Sequence, residues 1–148
     1  MDRNGFTLVE LMVVITLVAL AGAAVVMTLS SGAGGATSAA SRFASRLGAA
    51  RDEAILTGTP VSAWISPSGY GFERLVDGQW APIEDKPLES SDWPEGVSVS
   101  GSAKSAAQRN RIRFDAMGLT GDAANLQFAD AQARAEVRVE PSGDIAVQ

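Results

Sequence analysis

The chain has 148 residues, of which 46% are hydrophobic and 20% charged, with a net charge of −5 and neither histidine nor cysteine. The acidic balance excludes the basic surface that displaces counterions from phosphates, so nucleic acid is not an expected partner. The missing residue types remove Ser-His-Asp triads, thiol catalysis, disulfides and zinc sites built on His or Cys, leaving one modest domain that rests on packing alone.

Only the short, mostly polar stretch Met1-Asp2-Arg3-Asn4 precedes Gly5-Phe6-Thr7-Leu8-Val9-Glu10, which is followed by an uncharged run over 11–41. As a helix, 6–29 would be about 36 Å long, against a hydrocarbon core of about 30 Å, so it can span a membrane. A carboxylate one turn inside such a segment costs a few kcal/mol at mid-bilayer, which makes Glu10 a functional candidate. An ordinary secretory signal has a more basic start, a shorter apolar stretch and a small-residue cleavage site. The Ala-rich stretch 21–24 imitates that site, and removal there is the alternative.

Ser30-Ser31-Gly32-Ala33-Gly34-Gly35 breaks the run, because glycine is entropically costly inside a helix. From 37 to 57 the apolar residues Phe43, Leu47, Ala50 and Ala54 step by four, three and four and lay one stripe along a helix. Gly58 is its stop signal, with Pro60 beyond. The other face carries Arg42, Arg46, Arg51, Asp52 and Glu53 and is expected to be solvated. The adjacent carboxylates Asp52 and Glu53 point about 100° apart, which suits neither a metal clamp nor an acid–base pair.

Beyond 59 the period becomes two. Strands are expected at 61–65, 70–76 and 79–83, a meander on the second half of the helix, with Asp77-Gly78 as a hairpin signal. Further strands are expected at 96–100, 111–115, 125–129, 135–140 and 144–147, the last pair turned by Pro141-Ser142-Gly143. Ile112/Phe114 and Val137/Val139 put one face on a core. Arg109, Arg111 and Arg113 read as a solvated face. The fold class is therefore α+β: a long N-terminal helix, transmembrane in its first half, packed on an antiparallel sheet or sandwich head. The expected divisions are 1–5 polar start, 6–29 membrane-length helix, 30–58 break and amphipathic helix, and 59–148 globular head.

The signature Gly5-Phe6-Thr7-Leu8-Val9-Glu10-Leu11 resembles that of the type IV pilin and pseudopilin superfamily. The resemblance implies that 1–5 is a leader and 6–29 a filament-core helix, and that a prepilin peptidase cuts between Gly5 and Phe6 and methylates the new Phe6 amine. It also implies assembly through Glu10, whose carboxylate would neutralise the Phe6 amine of a neighbouring subunit in a low-dielectric filament core and so set the axial stagger. The segment 43–55, with Gly58 and Val61, is similar to the helix-to-strand junction of the H-type minor pseudopilins of type II secretion and of related minor pilins; 135–147 is similar to their closing hairpin. Two departures stand out. Met27 occupies the place of a proline found in many family anchors, which moves the expected flexible point to 32–35, and the calcium loop of major pseudopilins is not recognisable.

Residues 84–95 carry Glu84, Asp85, Glu89, Asp92 and Glu95 against Lys86. A solvated loop, a partner contact and a calcium site are its three readings, though EF-hand spacing is lacking. Trp93 is either a partner anchor or a cover for the domain's own core. A tethered hydrolase using Asp115 and Asp122 is the enzyme alternative. The resemblance instead implies a non-enzymatic minor subunit with no cofactor and no metal, in a bacterial inner membrane by one pass with its C-terminal head in the periplasm. Its implied partners are other major and minor pseudopilins, the prepilin peptidase, the inner-membrane assembly platform and, before assembly, membrane lipid. A minor pilin that primes a type IV pilus remains the alternative.

Overall fold

The computed structural model describes residues 8–30, 35–103 and 110–148, without the side chains of 21–30 and 102–103. The chain divides into two compact units, Met1–Ala33 and Gly34–Gln148. The first contains helix α1, Leu8–Ser30, continuous through Met27. Every side chain from 8 to 20 is exposed, and apolar residues occupy all sides of the helix, so it has no polar face for water. The Thr16 hydroxyl is satisfied locally, donating to Met12 O at 2.7 Å. Among the described residues no helix is long and apolar enough to cross a membrane.

The second unit begins with helix α2, Ala36–Thr57. Its stripe is the expected one: Phe43, Leu47, Ala50 and Ala54 are all fully buried, joined by Ala36, Ala39 and Ala40. It ends where Gly58 adopts the left-handed conformation (φ 62°) and its N–H reaches back to Ala54 O, a geometry that costs glycine nothing.

Two antiparallel sheets follow. The first has the order β3-β2-β1-β6, from β1 (Val61–Ile65), β2 (Gly69–Val76), β3 (Gln79–Pro82) and β6 (Arg111–Phe114), with β4 (Ser91–Asp92) pairing the start of β2. The second has the order β5-β7-β8-β9, from β5 (Ser98–Ala103), β7 (Ala124–Ala129), β8 (Arg134–Val139) and β9 (Ile145–Val147). The meander β1–β3 and the closing hairpin β8–β9 stand where the period-two pattern puts them. Strand β6 crosses back to pair with β1, setting Ala63 opposite Ile112.

The sheets meet under α2 in an aromatic cluster. Phe43 packs edge-on to Tyr70 of β2 at 4.9 Å between ring centroids and lies 5.9 Å from Phe128 of β7. Trp93 stacks on Tyr70 at 4.5 Å and meets Phe128 edge-on at 5.3 Å.

Two expectations need correction. The 84–95 segment is not simply a solvated loop: Leu88 and Trp93 are buried and Ser91–Asp92 form a strand, because apolar side chains at both positions cover the open end of the core. The charged faces are not simply solvated either. Glu53 pairs with Arg74, Arg51 lies 3.5 Å from Asp144, and Arg46 lies 5.5 Å from the Tyr70 ring centroid. Arg111 Nη1 approaches Glu73 Oε2 at 2.9 Å with both side chains largely covered, and Arg113 lies over Trp80. Long side chains at a sheet or helix edge bury their stems and keep only the charge outward.

Candidate functional site

Glu10 occupies the first turn of α1, where the partial positive charge of the helix N-terminus favours an anion. Its carboxylate is exposed among exposed apolar neighbours, Val9, Leu11, Val13 and Val14. A carboxylate on an apolar surface is costly to take out of water unless a cation meets it. Gly5 and Phe6, the expected cleavage pair, lie outside the described residues.

In the head, the residues considered for chemistry take part in turns and in the core. Asp115 Oδ1 accepts the N–H groups of Met117 at 2.8 Å and Leu119 at 2.9 Å, closing a turn. Asp122 enters a neighbouring turn through its carbonyl, which accepts the Thr120 hydroxyl at 2.9 Å. Trp93, which the residues alone left open between core and partner anchor, belongs to the core, and its indole N–H donates to Ser66 O at 2.9 Å. In the acidic segment, Arg46 Nη1 donates to Glu89 O at 3.1 Å. Among the described residues no group of three or more acidic side chains could hold a metal ion.

One structurally important residue was not found by sequence reasoning. Asp130, in the turn between β7 and β8, accepts the Ala36 N–H on Oδ2 at 2.6 Å and the N–H groups of Gln132 and Ala133 on Oδ1, each at 2.7 Å. The bond from Ala36, then those from Gln132 and Ala133, hold its carboxyl below the ordinary carboxylate value. Gly35, the N-cap position, makes no side-chain cap of its own. A Cβ there would stand 2.9 Å from Asp130 Oδ2, so the glycine admits the cap that Asp130 supplies. The available signal was an aspartate opening a hairpin turn; nothing local marks its reach to α2.

The sequence pattern of the type II transport protein GspH family matches residues 39–143, from α2 through the closing turn. The prokaryotic N-terminal methylation motif matches residues 1–26. The type II secretion system protein H of Escherichia coli (strain K12) is 33% identical over 109 residues, 66% of this chain and 63% of that protein, so the match spans under two thirds of the relative's length. Among solved structures, the fold is similar to the minor pseudopilin EpsH from the type 2 secretion system of Vibrio cholerae, with a TM-score of 0.65 at 19% identity over 76% of this chain and 95% of that one. It is similar as well to the type IV minor pilin FimU of Pseudomonas aeruginosa PAO1, with a TM-score of 0.60 at 17% identity over 76% and 87%. Those two likenesses are of fold. The match over 39–143 takes in most of α2, strands β1 to β8 and the aromatic core that joins the two sheets, and on that ground the chain belongs to the type II transport protein GspH family.

Proposed function

We propose that this chain is a minor pseudopilin of the type II secretion pseudopilus, assembling near its tip to support export of folded proteins across the outer membrane, and that it works by assembly and not by catalysis. The observation that carries this reading is the union, in one chain, of a methylation-motif segment, a helix apolar on all sides and a GspH-type head. In this reading the prepilin peptidase cuts between Gly5 and Phe6 and methylates Phe6. The segment 6–29 then rests in inner-membrane lipid with the head in the periplasm, until the assembly platform extracts it into a filament of major and minor pseudopilins. There Glu10 neutralises the Phe6 amine of a neighbour. Because each charge is costly without the other in an apolar core, the pair selects one axial register.

Intact mass of the protein from membranes tests the processing step. The expected chain begins with N-methylated Phe6; a terminus near residue 24 would mean ordinary signal-peptide removal. Glu10→Leu is expected to stay membrane-bound and cleaved, since losing the carboxylate eases insertion, yet to fail to cross-link to other subunits. Normal incorporation would overturn the role given to Glu10. The likeness to FimU favours a second reading, a minor pilin that primes a type IV pilus. Gene deletion separates the two: folded exoproteins trapped in the periplasm support the secretion reading, whereas intact secretion with lost surface pili supports the other.

A further inference from the structure

We propose that the pole of the head at the end of α2 is a docking face for the head of a different pseudopilin, one presenting an apolar surface rimmed by lysine or arginine; this rests on the assembly role given above. Helix α2 starts beside Gly35, and its 22 residues rise about 33 Å before Gly58, so this pole is the end of the helix remote from the connector. Its last turn presents Ile55 and Leu56, and the turn at 115–119 presents Met117 and Leu119. Leu56 is 83% exposed and Met117 71%. The two segments touch: a Cβ at Gly118 would fall 2.7 Å from Ile55 Cδ1. The 141–143 turn closes a third side, with the Thr120 N–H donating to Pro141 O at 3.1 Å and Gly143 against Gly118 O. Single apolar side chains in water are ordinary, but four gathered at one pole mark a surface that is covered in use.

The rim identifies the occupant. Asp52 stands one turn before Ile55 and Leu56 on the same helix face. The Thr120 hydroxyl lies within hydrogen-bond distance of the Asp122 carbonyl (2.9 Å) and the Glu140 carbonyl (3.0 Å), between which its one proton is shared, and this brings two more carboxylate residues to this pole. Asp144 follows; Arg51 already engages it, and Arg74 nearby is likewise engaged by Glu53. Asp52, Asp122, Glu140 and Asp144 are all exposed. A second copy meeting this face with the same face would set carboxylates against carboxylates, and an anionic lipid surface would be repelled. A partner with an apolar centre and a basic rim matches both features and is steered to them.

The chain has no cysteine, so single thiols report without background. The full chain carrying Leu56→Cys or Met117→Cys at the pole, or Met12→Cys on α1, is expressed with the rest of its secretion machinery and labelled with a maleimide–benzophenone reagent. Illumination follows, and adducts are read by peptide mass spectrometry. Both pole positions are expected to capture a different pseudopilin head, at an apolar face flanked by lysine or arginine. Adding Asp52→Lys with Asp122→Lys is expected to lower the yield at least about fivefold, with Met12→Cys adducts and the melting midpoint unchanged. Capture of a second copy, of lipid, or of nothing at the pole overturns the docking face, and so does a yield indifferent to the two lysines. If Met12→Cys still joins other subunits, the filament reading stands without it; loss of adducts at both places sinks both.

Discussion

Asp130 is a single side chain that ties two distant parts of the head together. It satisfies the Ala36 N–H at the start of α2, an orphan donor that Gly35 cannot reach, and closes its own turn with the other oxygen. All three bonds favour the ionised carboxylate, so its pKa in the fold lies below the unfolded value. Its contribution is therefore complete above the usual carboxylate range and is lost as pH falls through the folded value. Asp130→Asn is expected to melt several degrees below the parent near neutral pH, with the gap narrowing as the parent is acidified below about 3.9. Thermal melts of both proteins across that range check it; a gap independent of pH would mean that charge plays no part. A turn at this aspartate is visible in the sequence. The cap is not, because 94 residues separate it from Ala36 and no local pattern encodes that distance.

At the scale of elements, α2 holds the head together because its apolar stripe faces both sheets at once. Phe43 is the centre of that contact, fully buried and within ring-contact distance of Tyr70, Trp93 and Phe128. Phe43→Ala leaves a cavity the surrounding rings cannot close and is expected to cost about 3–5 kcal/mol, a large part of the stability of a small domain. Urea unfolding followed by tryptophan fluorescence measures it, since Trp93 lies 5.5 Å from the removed ring. A loss under about 1 kcal/mol would mean that the rings repack and that the cluster is less coupled than its geometry implies. The stripe itself was legible from its 3.6-residue period, as were the strands with clean alternation. Strand β4 was not, because two residues carry no period.

At the scale of the molecule, the division after Ala33 separates a helix without a core from a head that has one. The head, residues 34–148, is expected to fold alone, with the urea midpoint of the full chain in detergent, and to sediment as a monomer. Its net acidic character and the carboxylate rim at the α2 pole both oppose self-association. A head that instead self-assembles, and outnumbers other subunits in sheared filaments, would fit a shaft subunit and defeat the minor-subunit reading, since a shaft needs a surface that complements itself along the repeat.

What the sequence by itself determined is whatever local chemistry encodes: the order Gly5-Phe6-Thr7-Leu8-Val9-Glu10, the uncharged run after it, the stripe of α2, its stop at Gly58 and the alternation of the main strands. These follow from side-chain periods and from the special conformations of glycine, which act within a few residues. Only the tertiary structure decided that β6 returns to β1, that Trp93 completes the core, that Asp130 caps α2, and that Ile55, Leu56, Met117 and Leu119 gather at one pole. Each of those depends on which distant segments close against one another. Closing a longer loop costs only slightly more entropy than closing a short one, so no spacing in the chain singles out the partner, and the choice is made by packing two sheets and one helix around the same few rings.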